Sequence, residues 1–165
     1  MQSLIEGYNE HDLDERVSGK SHDMTMTSLC EQYQEALGRK DLAFVLGLFT
    51  DDAVIRAPVS GAANVKDFHA YIFSNTKRTA MRFPNVIRRR DAPAAITMQF
   101  SYTLAIEGGH IVVLDGVANF EIDERAMKIK SLTFVYDPAE VRQLMAEAGI
   151  APPDHPEPAF AQHAR

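Results

Sequence analysis

At 165 residues the chain has the length of one ordinary domain, enough to bury a core without disulfides or a structural metal. Charged residues make up 24% and the apolar set 45%, a globular composition, and no apolar run approaches the roughly 20 residues that span a bilayer. This predicts a soluble protein with no membrane partner, and the net charge of -6 opposes the attraction to phosphate on which nucleic-acid binding depends.

Cys30 is the only cysteine, which rules out an intrachain disulfide and a thiolate zinc cluster and fits a reducing compartment. The start, MQSLIEGYNEHDLDER, lacks the basic and apolar regions of a secretory signal, so a cytoplasmic location is expected. Residues 1 to 23 are polar, mostly acidic and aperiodic, and are expected to be a flexible extension.

From Ser28 the pattern changes. Ser28 and Glu31 read as a capping box, and Leu29, Tyr33 and Leu37 follow at helical spacing until Gly38. Asp41 caps a second helix with Leu42, Val45, Leu46 and Phe49 on its apolar face, and Thr50-Asp51-Asp52 separates it from a strand, Ala53 to Ala57, that Pro58 ends. Asn64 caps a third helix, Val65 to about Asn75, whose apolar face of Val65, Phe68 and Ile72 also carries His69.

The second half is β-rich. A strand near Met81 to Arg90 precedes an alternation with Ile96, Met98, Phe100, Tyr102 and Leu104 on one face. Arg88-Arg89-Arg90 reads as a solvated strand end. Glu107-Gly108-Gly109 is a hairpin turn, and the next strand puts Val112, Leu114, Gly116, Ala118, Phe120 and Ile122 on one face. Asp123-Glu124-Arg125 turns the chain into a last strand, Lys128 to Tyr136. Asp137-Pro138 starts a helix with Val141, Leu144 and Met145 on its apolar face, up to Gly149. Residues 151–165 are proline-rich and read as an extended tail. Helices followed by a meander of long strands give the α+β class, with a single domain over 24–150.

This order of elements, with YQEALGRKDLAFVLGLFTDDA and the later DGVANFEID and IKSLTFVYDP, resembles the nuclear transport factor 2-like superfamily, and within it the ketosteroid isomerase and SnoaL-like polyketide cyclase branch. The resemblance covers roughly residues 26 to 148. It implies a cone: a strongly bent antiparallel sheet closed by three N-terminal helices, with a C-terminal helix at the rim of a hydrophobic pocket. It also places the oxyanion-hole tyrosine of the ketosteroid isomerases on Tyr33 and their supporting tyrosine on His69. Their carboxylate base falls on Ala57 and their protonated aspartate on Ala118, so both carboxylates are missing. The carboxylate that the SnoaL-like cyclases carry late on the last strand falls in apolar SLTFVYDP. Ketosteroid isomerisation by the usual residues is therefore not expected.

Tyr33 and His69 are expected to meet inside the cone, as a proton-transfer pair or as a structural pair that satisfies itself. Asp115 is the remaining carboxylate in the meander. Alternation points it outward, and only a bulge at Gly116 would turn it in as a replacement base. The expected lining comprises Phe49, Ala57, Met98, Phe100, Tyr102, Ala118, Phe120, Phe134 and Tyr136, a surface for a flat hydrophobic ligand. The six histidines are scattered without paired spacing, so no metal is expected. Two functions follow. The first is a cofactor-independent isomerase, cyclase or dehydratase acting on a hydrophobic small molecule. The second is a non-catalytic ligand-binding or dimerising protein. Val113, Val117, Thr133 and Val135 on the outer sheet face point to a homodimer.

Overall fold

The structure, a computed structural model, describes residues 26–88, 90–106 and 108–153. The expected N-terminal extension and most of the proline-rich tail lie outside them. Residues 26–39 form α1, already helical at Ser28, whose hydroxyl accepts from Gln32 one turn on at 3.4 Å instead of capping the helix start. The helix also runs past Gly38. Lys40 takes the left-handed conformation, φ 53, and the amides of Lys40 and Asp41 bond back to the carbonyls of Leu37 and Ala36, each at 3.1 Å. That is a Schellman ending with lysine where glycine is usual, and the Lys40 ammonium bonds the Thr76 carbonyl across the fold.

Asp41 caps α2, Leu42–Leu48, by accepting from the Phe44 amide at 3.1 Å. This short helix buries Val45 and Leu48 and leaves Leu46 exposed, so the inner face keeps Val45 but is rotated away from Leu46 toward Leu48. Phe49 is buried but opens the next strand. β1, Phe49–Ala57, is longer than expected and absorbs Thr50, Asp51 and Asp52 through a register shift between Phe49 and Val54, which leaves both aspartates exposed. β2, Gly61–Asn64, was not expected; it folds back antiparallel on β1 across the turn at Pro58, Val59 and Ser60. α3, Val65–Asn75, starts as expected, with Asn64 accepting from the Asp67 amide at 2.8 Å.

The meander follows as β3, Thr76–Arg88, β4, Ala95–Ile106, β5, Ile111–Asp123, and β6, Lys128–Tyr136. Asp123 makes the β5-β6 turn by accepting from the amides of Arg125 and Ala126 at 3.0 and 3.1 Å. α4, Ala139–Ala148, begins one residue later than expected, with Pro138 at the cap position, although Asp137 still accepts from the Ala139 amide at 3.0 Å.

The six strands form one curved, unclosed sheet in the order β2-β1-β6-β5-β4-β3. It is antiparallel except where β1 runs parallel to β6, a departure from the expected sheet. α3 carries the chain from β2 at one edge to β3 at the other, and three hairpin reversals then bring β6 beside β1 in the same direction. The expected alternation holds: Met98, Phe100, Tyr102, Val112, Leu114, Ala118 and Phe120 are buried, while Val113, Asn119 and Glu121 face outward. Each large side chain so buried is worth about 1.5–3 kcal/mol. Gly116 has no room for more: a Cβ there would lie 2.1 Å from the Val135 carbonyl oxygen and 3.0 Å from the Phe100 ring. Among the described residues no helix is long and apolar enough to cross a membrane.

Candidate active site

The concave face of the sheet is filled at one end and hollow at the other. The hollow end is a cavity of about 110 Å³, walled by α1, α3, the β1-β2 turn, the inner faces of β4 to β6 and the rim helix α4. At roughly 10–15 Å³ of such space per water, it has room for a molecule of one or two rings. Ala57, Phe100, Tyr102, Phe134 and Tyr136 line it as expected. Phe49, Met98, Ala118 and Phe120 do not; they are buried in the packed end, because alternation assigns a residue to a face without assigning its depth along the cone.

Tyr33 stands where the two ends meet. It lines the cavity, and its ring packs edge-on against Phe49 and Phe120 with centroids 5.6 and 6.0 Å apart. α3 brings His69 to it as expected: the Tyr33 hydroxyl lies 2.9 Å from His69 Nε2, and His69 Nδ1 lies 2.7 Å from the Val65 carbonyl oxygen. A carbonyl only accepts, so Nδ1 carries the ring proton, Nε2 has the lone pair and the Tyr33 hydroxyl donates to it. His69 is fully buried among Tyr33, Phe49, Phe68 and Phe73, and that desolvation lowers its pKa to about 4 against the opposing bond to Val65. Burial also pushes the Tyr33 phenol well above its usual range, and the neighbouring Tyr102 adds to the rise. The resting pair is therefore a neutral phenol bonded to a neutral imidazole.

The other polar side chains on the wall differ in whether they are satisfied. Tyr71 donates to the Ala151 carbonyl at 2.7 Å, Asn75 to Tyr71 at 2.8 Å and Thr76 to Ile72 at 2.7 Å. The Val59 backbone and the Arg142 guanidinium both favour ionised Tyr136, yet burial still raises its pKa to about 12. Ser60 and Tyr102, in contrast, are buried with hydroxyls that have no hydrogen-bond partner. The Thr79 hydroxyl beside Tyr102 opposes the burial that raises the Tyr102 pKa, but Thr79 donates to the Leu37 carbonyl and completes no bond of proper geometry to the phenol.

Asp115 is placed outside this site. β5 pairs with β4 and β6 in unbroken register through Gly116, the only shift lying between Glu121 and Ile122, so no bulge reverses Asp115. It stays exposed on the outer face opposite Ser101 and cannot serve the cavity as a base. Sequence reasoning missed Ser60, Tyr71, Ile150 and Pro153 as wall residues. PVSG signals a turn, but only the unforeseen β2 shows that the turn folds over the cavity.

A family model described as a SnoaL-like domain matches residues 30–131. The chain belongs to this SnoaL-like family. No curated protein sequence matches it. PrhC from Penicillium brasilianum NBRC 6234 is similar in structure, with a TM-score of 0.69 at 11% identity over 78% of this chain and 90% of its own. BvnE pinacolase from Penicillium brevicompactum gives 0.68 at 10% identity over 79% and 94%, and TerC co-crystallised with polyporic acid 0.63 at 13% over 74% and 98%. At these identities the likeness shows a shared fold. The SnoaL-like domain here has alanine on the cavity wall at Ala57 and alanine in the packed core at Ala118.

Proposed function

We propose that this SnoaL-like protein is an enzyme of the cytoplasm that isomerises, cyclises or dehydrates a hydrophobic small molecule in the cavity without a cofactor. The observation that carries this reading is Tyr33, a residue of the cavity wall whose hydroxyl is bonded to a held imidazole. A substrate proton, from a carbon next to a carbonyl or from a hydroxyl, passes to the Tyr33 oxygen as the phenol proton passes to His69 Nε2. The return transfer delivers a proton to another substrate atom and restores the neutral pair. With the pKa of His69 near 4, forming the imidazolium at pH 7 costs about 4 kcal/mol, which restricts the pair to substrates already acidified by a carbonyl. Tyr102, whose buried hydroxyl has no hydrogen-bond partner, lies on the same wall. A pinacolase of the same fold supports rearrangement chemistry in such a cone.

The test is turnover and deuterium uptake from heavy water with a panel of enones and polyketide-like ketones. Tyr33→Phe should lower kcat by about 10²- to 10⁴-fold with the fold intact. Equal rates in wild type and variant would sink the assignment. A specific observation favours a second reading: among the described residues the wall carries no carboxylate, alanine stands at both positions, Ala57 and Ala118, where the resemblance puts one, and Asp115 lies outside. A non-catalytic binding protein would take up ligand tightly and show neither product nor exchange.

The partner proposed for the outer face is a second copy of the chain. Val113 and Val135 are 47% and 46% exposed there, on a face that also carries the exposed charges Asp52, Arg56, Glu121 and Lys130. Both signs on one face allow a two-fold copy to pair them while covering the valines. Light scattering behind size-exclusion chromatography should show a dimer, and a monomer at tens of micromolar would reject this.

A further inference from the structure

α4 differs from the rest of the cavity wall in how it is held. The sheet, α1 and α3 are each anchored by buried side chains such as Phe134, Leu37 and His69, whereas none of the ten residues of α4 is buried. Val141, Leu144 and Met145 are half-buried and line the cavity. A helix this short is marginal in water without tertiary support. It hangs from β6 at Asp137-Pro138, and beyond it the left-handed Gly149, φ 67, turns the chain so that Ile150 and Pro153 also line the cavity. Among the described residues two hydrogen bonds tie residues 139–153 to the other elements. Arg142 donates to the Pro58 carbonyl at 3.3 Å, and the Tyr71 hydroxyl donates to the Ala151 carbonyl at 2.7 Å. The Arg142 bond is long and comes from an exposed, flexible side chain, so the Tyr71 bond is the firmer hold.

We infer that α4 with residues 149–153 is a gate over the cavity, hinged at Asp137-Pro138 and latched by the Tyr71 hydroxyl on the Ala151 carbonyl. Opening it breaks one firm hydrogen bond and uncovers half-buried side chains, while the sheet, α1 and α3 keep their own core. The gate therefore opens at a free energy well below that of global unfolding. Tyr71 is a positioning residue for this motion and takes no part in chemistry. The inference goes beyond the proposed function, since it describes how any molecule reaches the cavity, whether that molecule is turned over or only bound.

The test is hydrogen exchange read by mass spectrometry on the full chain, joined to thiol labelling of Ala57→Cys with methyl methanethiosulfonate. Ala57 is a buried residue of the cavity wall, and Cys30, buried in the core, reports global opening in the same molecule. The amides of α4 should exchange about tenfold or more faster than those of β5, and the introduced thiol should label faster than Cys30 by a similar factor. Tyr71→Phe should speed α4 exchange and cavity labelling about fivefold, and Arg142→Gln about twofold, with β5 exchange and Cys30 labelling unchanged. Exchange of α4 at the β5 rate, cavity labelling unmoved by Tyr71→Phe, or a Tyr71→Phe effect of equal size on β5 and Cys30 would overturn the gate. If Ala57→Cys fails to fold, exchange in wild type and Tyr71→Phe decides alone. These readouts need no substrate, so their failure would leave the enzymatic reading standing, and absence of turnover would leave the gate standing.

Discussion

The two ends of the cone share one sheet face and one kind of side chain, yet one is solid and the other hollow. At the solid end Phe49, Met98, Ala118 and Phe120 are buried in the core, Phe49 and Phe120 against the Tyr33 ring; at the hollow end Phe100, Tyr102, Phe134 and Tyr136 line a cavity. The difference shows that apolar character decides what is buried, while the fit of side-chain volumes between sheet and helices decides where space remains. The buried polar pair of Tyr33 with His69 lies at the boundary, backed by aromatic rings, with Tyr33 on the cavity wall.

The sharpest way to break the comparison is to truncate one phenylalanine at each end. Phe120→Ala should cost about 3–5 kcal/mol in urea unfolding, because it opens a void in close packing, and Phe134→Ala should cost about half of that, since part of its ring already faces empty space. Equal losses would mean that the two ends are packed alike.

The boundary itself should respond to pH. The unfolded chain takes up a proton on His69 near pH 6.5, which the folded chain refuses until about pH 4. The unfolded state therefore binds more protons between these values. This contribution to stability is complete above pH 6.5 and is lost as pH falls toward 4, by about 3 kcal/mol. Unfolding measured from pH 7.5 to 4 should show this excess slope in wild type and not in His69→Gln. Identical slopes would count against a buried neutral imidazole.

A smaller effect separates strand from cavity. Gly116→Ala drives a methyl into the Val135 carbonyl and should cost about 1–3 kcal/mol, with β5 and β6 forced apart. Loss of ligand binding at preserved stability would show that the methyl instead points into free space. Smallest of all, Ser60→Ala should leave the melting temperature within a degree or two of wild type, because the hydroxyl it removes has no partner. A clear drop would reveal a bond to a buried water.

Much of this was legible in the sequence. Caps at Asp41 and Asn64, alternation through β4 and β5, and the helical spacing that puts Tyr33 and His69 on inner faces are local signals, and each specified its element or face. What failed needed information from elsewhere in the chain. The end of α1 depends on Lys40 tolerating a left-handed turn while its ammonium reaches Thr76, so Gly38 misled. β2 exists because β1 offers an edge, and four residues, Gly61–Asn64, have no periodicity to read. Alternation places Asp115 outward, and the register shift of this strand lies farther along, between Glu121 and Ile122. Depth in the cone, the property that separates lining from core, has no sequence period at all.

The parallel pairing of β1 with β6 joins Val54 to Ser131 and makes the sheet continuous. Without β6 the remaining strands are two separate sheet fragments, β2-β1 and β5-β4-β3, which the chain connects through α3. A ribosome that has released the chain as far as β5 thus holds two open sheet edges. The cavity cannot assemble until the final strand emerges, so folding during synthesis is expected to be completed late, with those edges the natural clients of a chaperone.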